Sequence, residues 1–398
     1  MIGVLLLLLV ALDAAYRGQA MLRRTVTAWR TTAAPPHPYA DSVWFQAYET
    51  EARASFLLRW EPYVYWRRVP FQGRLVNIDS AGRRRTVHPP DTRDPVRKVF
   101  FFGGSTAYGR FQRDSMTIPS CMAAYTSDRP GAPRLEVTNF GETGYVFTQE
   151  VIQLILELRR GSRPDAVVFY DGINDVVAAI QNGRAGLPQN ERSRQTDFEL
   201  GRVVHTWRGD VAADVRVLTA LAIVAGKRLQ FPRRLAELPR GRAGSTTALS
   251  RRLEEDVVSS YVATVGIVEA LAQEYGFRAL YIWQPTLSGS GKALTPFEKR
   301  LVDDMKDDGF QNDRVRMHRS VPPMLDSAME PIVGERFVSL DGLFTGDSFP
   351  VYVDQIGHTT EYAVPIIVRA FWGQLSSILS VDTMPFSPRI GFCGGQFQ

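Results

Sequence analysis

Val99-Phe100-Phe101-Phe102-Gly103-Gly104-Ser105-Thr106 is an apolar run that stops at two glycines and delivers a serine. A run this short and this apolar reads as a buried strand. The glycines permit the sharp turn that ends it. Ser105 then stands at a strand-to-helix junction, where a serine is either a helix N-cap or a nucleophile.

Three further segments bear on that choice. Asn139-Phe140-Gly141-Glu142-Thr143-Gly144 follows the strand-like Leu135-Glu136-Val137-Thr138. Asp171-Gly172-Ile173-Asn174-Asp175 follows Ala166-Val167-Val168-Phe169-Tyr170, and Asp354-Gln355-Ile356-Gly357-His358 precedes a long C-terminal helical pattern. In an open parallel sheet the carboxyl ends of the strands line one crevice, where ligands bind. A serine, a glycine N–H, an asparagine amide and a late histidine would therefore converge.

In these four segments the chain resembles the SGNH hydrolases, the wider family of the GDSL esterases and lipases. Gly103-Gly104-Ser105-Thr106 resembles the nucleophile block, and Asn139 through Gly144 the glycine block. Gly172-Ile173-Asn174-Asp175 resembles the G-x-N-D block, and Asp354 through His358 the final Asp/His block. Order and spacing match over roughly residues 96–380. The resemblance implies that Ser105 attacks an ester carbonyl, that His358 takes and returns the proton, and that Asp354 orients the imidazole. It further implies an oxyanion hole made of the Ser105 N–H, the Gly144 N–H and the Asn174 amide.

Two departures stand out. Gly104 replaces the aspartate of the family's Gly-Asp-Ser stretch. The family's last block has its Asp and His three residues apart, whereas Asp354 and His358 are four apart with Gly357 between them. A local bulge would absorb the extra glycine. Asp341, Asp347 and a Ser–His dyad lacking a carboxylate are the alternatives. Of the five histidines, His37 and His88 lie in proline-rich stretches and His205 in a polar insertion. His318, among Arg314, Arg316 and Arg319, reads as a solvated helix face.

From Ser105 onward strands and helices alternate. Strands are expected at 98–102, 134–139, 165–170, 278–283 and 336–340, with helices near 148–160, 253–275, 313–329 and 361–379. This pattern predicts an α/β fold with three α/β/α layers and a central parallel, flavodoxin-like sheet of about five strands. Residues 96–380 would form the hydrolase domain and 381–398 a tail. After the third strand, a polar insertion at 176–250 is a candidate lid. Gln284, after the fourth strand, is a candidate substrate contact, with a simple strand-end turn as the alternative.

Residues 21–95 form an extension dense in aromatics: Trp44, Phe45 and Tyr48, then Trp60-Glu61-Pro62-Tyr63-Val64-Tyr65-Trp66. Such rings can form a sugar-stacking platform, but packing against the core is the expectation. Residues 2–12 are an unbroken apolar run, short of the ~20 residues a membrane-spanning helix needs. With Gly18-Gln19-Ala20 beyond it, residues 1–20 resemble a signal peptide or an anchor. Arg17, Arg23 and Arg24 follow the run and no basic residue precedes it, a charge order that favours retention of the downstream side in the cytoplasm. Export or membrane anchoring is the expectation.

At 398 residues, 44% hydrophobic and 22% charged, the chain can bury a large core. The net charge is +5 and five of the 47 basic residues are lysine, so 42 are arginine. The basic clusters are scattered and lack interleaved aromatics, which argues against a nucleic-acid partner. Cys121 and Cys393 have neither metal nor disulfide-framework spacing. Cys121 reads as core. No metal or cofactor is called for.

The expected activity is removal of a short acyl group, such as O-acetyl, from a carbohydrate or small ester. An O-acyltransferase on an envelope polysaccharide would use the same Ser–His pair. A non-catalytic glycan-binding or assembly protein is the third reading, supported only by the Asp354–His358 spacing.

Overall fold

The computed structural model describes residues 36–90, 94–126, 132–206, 246–289, 291–306 and 309–380. The apolar run at 2–12 and the 381–398 tail lie outside the described residues, as does most of the polar insertion. Among the described residues no helix is long and apolar enough to cross a membrane. The chain divides into two units. In one, Met1–Ala34 with Glu191–Leu249, the described helix Glu191–Thr206 carries an Arg194–Glu191 ion pair of 2.9 Å. The other, Pro35–Asn190 with Ser250–Gln398, holds the sheet.

That sheet has five parallel strands: β5 (Val96–Gly103), β6 (Arg134–Asn139), β7 (Ala166–Asp171), β8 (Arg278–Trp283) and β9 (Phe337–Ser339). Their spatial order is β6-β5-β7-β8-β9. The chain steps from β5 outward to β6 and then crosses back to β7, so the strand order reverses at β5. The carboxyl end of β5 is therefore the topological switch point, where an open α/β sheet leaves a crevice.

Every side chain on β5 from Val99 to Phe102 is buried, and successive residues face opposite layers. Val99 and Phe101 join Ile118 and Cys121 of the helix Ile118–Ala124 and the apolar face of the C-terminal helix Val364–Ile378. Phe100 and Phe102 join the opposite layer, with Phe147 and Leu154 of Phe147–Arg159, Tyr261 of Thr246–Tyr275 and Met317 of Gly309–Val333. Phe102 stacks on Phe140 at 4.7 Å and on Phe169 at 5.4 Å. Burying each such ring contributes about 1.5–3 kcal/mol, so this phenylalanine run anchors both layers around the strand that carries Ser105.

His318 departs from its reading as a solvated residue. It is buried in the Gly309–Val333 helix, and burial, then the nearby Arg314 charge, push its pKa down to about 3. The charged residues around it hid an apolar stripe of Met317, Val321 and Leu325 on the same helix.

The extension folds into α1 (Phe45–Ala54) and two antiparallel ribbons, β1–β2 (Leu58–Glu61 with Tyr65–Arg68) and β3–β4 (Phe71–Gln72 with Asn77–Ile78). Its aromatics divide. Trp44, Phe45 and Tyr48 pack with Tyr39 and His37, as expected. Trp60 and Tyr63 do not pack into the core: they are 67% and 68% exposed. The β1–β2 turn buries Val64, whose carbonyl accepts a bond from Gln149 Nε2 at 2.9 Å. Tyr63 and Tyr65 on either side hold φ of 70° and 74°, left-handed conformations that cost a non-glycine residue roughly 1–2 kcal/mol each.

Candidate active site

Ser105 opens a single helical turn, Ser105–Tyr108, directly after β5. The site needs glycine at position 104 for a steric reason: an added Cβ would lie 2.0 Å from Asn174 Nδ2. The amide of Asn174, which follows β7, occupies the space a side chain there would take. Ser105 itself is buried, and its Oγ lies 2.6 Å from His358 Nε2.

The His358 ring is fixed from its other nitrogen. Nδ1 lies 2.5 Å from Asp354 Oδ2, while Asp354 Oδ1 accepts the backbone N–H groups of Ile356, Gly357 and His358 at 3.0, 3.0 and 3.2 Å. The four-residue spacing is accommodated by Gly357, whose φ of +101° folds the extra residue into a tight loop. Burial works against ionisation of Asp354. The adjacent imidazole and the donated bonds from His358 and Gly357 outweigh it and hold the carboxyl below its ordinary range. Asp354 is thus the carboxylate that touches the histidine. Asp341 instead sits against Gly289, its pKa raised to about 6 by burial and then by Asp326.

Several residues not singled out in the sequence hold this loop in place. Phe111 sets its ring edge-on to His358 at 5.7 Å and donates its N–H to Tyr48 Oη at 2.6 Å. Gln112 Nε2 donates to the Thr359 carbonyl at 3.2 Å, and Arg113 pairs with Glu361 at 2.7 Å. On the approach side, the N–H groups of Val351 and Tyr352 donate to Glu298 Oε1 at 2.9 and 3.0 Å. Glu298 is itself tied to buried Lys292 at 2.8 Å.

Across the crevice, Gln189 Nε2 donates to Asn174 Oδ1 at 3.1 Å. That bond assigns the orientation of the Asn174 amide and leaves Nδ2, next to Gly104, to donate elsewhere. Gly144, at φ +80°, is adjacent: an added Cβ would be 3.3 Å from Gln189 Oε1 and 3.6 Å from the Trp66 ring. Trp66 Nε1 donates to the Thr143 carbonyl at 3.0 Å.

A buried ion pair between Arg68 and Glu142 at 3.0 Å bolts β2 to the same loop, and Arg68 also bonds Thr143 Oγ1. The glycine loop is therefore held by the N-terminal extension. Gln284 is buried at the end of β8, its N–H bonded to the Asp171 carbonyl at 2.8 Å.

Behind Asn174 lie three buried carboxyl groups, Glu150, Asp171 and Asp175. Burial raises all three, with mutual repulsion adding to the effect on Glu150 and Asp171, and Asp175 reaches about 6. Asp175 Oδ1 accepts the Phe147 N–H at 3.1 Å, and Tyr261 Oη reaches Asp171 Oδ2 at 3.4 Å.

No protein-family model matches the chain, and no curated protein matches it significantly. Among solved structures it is similar to an acetyl xylan esterase, with 12% identity over 70% of this chain and 99% of the other and a TM-score of 0.36. It is similar to a member of the lipolytic G-D-S-L family from Veillonella parvula, with 10% identity over 70% and 97% and a TM-score of 0.36. A catalytic mutant of an acetylxylan esterase from Geobacillus stearothermophilus shares 12% identity over 76% and 100%, with a TM-score of 0.36.

Proposed function

We propose that this chain is a serine ester hydrolase of SGNH type that removes short acyl groups, O-acetyl among them, from a carbohydrate. The observation that carries the reading is the hydrogen-bonded chain Ser105 Oγ–His358 Nε2 and His358 Nδ1–Asp354 Oδ2, at 2.6 and 2.5 Å. Its position at the sheet's switch point supports it.

Ser105 Oγ attacks the ester carbonyl while His358 Nε2 takes its proton. Asp354 holds the ring with its Nδ1 proton inward and stabilises the imidazolium that forms. The tetrahedral oxyanion accepts bonds from the Ser105 N–H, the Gly144 N–H and Asn174 Nδ2. Collapse breaks the bond to the alcohol, which leaves with the proton from His358. Water then enters, gives its proton to the same nitrogen and releases the acid, regenerating Ser105.

Action at the cell envelope is part of the proposal and rests on the apolar run at residues 2–12. The test is hydrolysis of p-nitrophenyl acetate and butyrate by the parent, Ser105→Ala and His358→Ala. Turnover that collapses in both variants is expected. Turnover that survives Ser105→Ala would sink the nucleophile assignment. Product analysis with an acceptor glycan present separates release of free acetate from transfer.

A further inference from the structure

We infer that the β1–β2 hairpin is a stacking platform for the sugar rings of a glycan chain. The inference rests on the ester-hydrolase reading and deepens it: the acylated unit would belong to an oligomeric or polymeric carbohydrate rather than a small free ester.

Four rings make the surface. Trp66 stands against Gly144 at the candidate oxyanion hole. Tyr65 stacks beside it at 6.4 Å, and Trp60, paired with Trp66 in the strand register, follows at 5.5 Å from Tyr65. Tyr63, in the turn that joins the two strands, adds a fourth, exposed ring. The rings thus lead from the reacting centre outward, and exposure is greatest at the far end, with Trp60 at 67% and Tyr63 at 68%. Arg59 and Glu61, an ion pair at 3.7 Å, neighbour Trp60 along β1 on the alternate face of the strand.

The backbone supplies an independent observation. Tyr63 and Tyr65 are held left-handed on either side of buried Val64. Bulky residues in that region are outliers, and such strain collects where a surrounding structure enforces it for a binding or catalytic purpose. Buried Val64 and its bond from Gln149 hold the turn in this shape, which leaves the Tyr63 ring exposed. The other aromatic group of the extension, around Trp44, has ordinary backbone and packs. Flat aromatic faces suit the apolar faces of pyranose rings. The occupant is a neutral or O-acetylated polysaccharide with a ring face free to stack.

The test is affinity electrophoresis of the full chain in gels containing xylan, hydroxyethylcellulose or glycol chitin. It runs beside co-sedimentation with vesicles of phosphatidylglycerol and phosphatidylcholine. Trp60→Ala and Tyr63→Ala are compared with the parent, and each is also assayed on p-nitrophenyl acetate.

At least one glycan is expected to retard the parent, with retardation weakened at least about fivefold in Trp60→Ala. Turnover of p-nitrophenyl acetate should stay within about twofold, because neither ring touches Ser105. No retardation by any of the three glycans, or retardation unchanged in both variants, overturns the platform. Vesicle binding lost in Trp60→Ala without glycan binding also overturns it and assigns the surface to a membrane. Absence of esterase turnover in a chain that still binds glycan through Trp60 would fault the serine chemistry and leave the platform standing.

Discussion

Replacing Asp354 by Asn changes one atom and reverses the proton logic of the site. Asp354 Oδ1 accepts three backbone N–H groups, from Ile356, Gly357 and His358. An amide NH2 cannot replace an acceptor there, so the asparagine oxygen must keep that position. Its NH2 then faces His358 Nδ1 as a donor, and the ring must offer a lone pair at Nδ1 and carry its proton on Nε2. That nitrogen, 2.6 Å from Ser105 Oγ, would donate to the serine instead of accepting from it. The backbone loop stays satisfied, so the fold should survive.

A wrong tautomer in intact geometry costs roughly 10⁴-fold in kcat, or about 5.4 kcal/mol at 1.36 kcal/mol per decade. KM for p-nitrophenyl acetate should change little, because Asp354 lies behind the histidine. The assay is steady-state hydrolysis alongside a thermal melt. A loss below about tenfold in a folded variant would refute the claim that Asp354 sets the tautomer.

Gln189→Leu removes the donor that orients Asn174; kcat should fall, by less than the ~100-fold expected for deleting an oxyanion donor outright, with KM steady, and an unchanged kcat would dismiss the positioning role. Glu150→Gln tests the buried carboxyls. Their folded pKa values are raised, so their contribution to stability is full below the ordinary carboxylate pKa and is lost as pH rises through the raised values, about 6 for Asp175. The variant should therefore gain more in melting temperature at pH 8 than at pH 5, and equal shifts at both would contradict the assignment. Arg68→Met takes the ion-pair partner from buried Glu142, leaving it the Arg67 charge and the backbone N–H groups of residues 68 and 143, and should cost up to about 3 kcal/mol in urea unfolding. A loss under about 1 kcal/mol would mean that the ion pair does not bolt the hairpin to the glycine loop.

The central strands β5, β7 and β8 were legible as short apolar runs buried on both faces, while the edge strand β6 alternates buried Leu135 and Val137 with exposed Glu136. The observed strands fall within two residues of those read from the sequence. Ser105, Asn174 and His358 were legible because each follows a strand or precedes a helix in a recognisable block. The supporting residues were not. Gln189, Phe111 and Gln112 act through contacts made in the folded chain, and nothing in their local spacing marks them.

His318 was misread because arginines flanking a helix residue suggest solvent, while the neighbours one turn away bury it. Trp60 and Tyr63 depart from the packing expectation, which Trp66 on Tyr145 meets, because composition cannot tell a ring facing the core from one facing water. The left-handed φ of Tyr63 and Tyr65 has no sequence signature at all.

Ser105 and His358 are 253 residues apart. All five strands of the sheet precede His358, so a ribosome has already made every strand before it makes the base. At about 5–20 residues per second, that interval is on the order of tens of seconds. Throughout it the nascent chain carries Ser105 without the histidine that lies against it in the folded protein. On the proposed chemistry a chain broken off before residue 358 is silent however well its sheet has formed, and turnover reports a chain carried at least as far as His358.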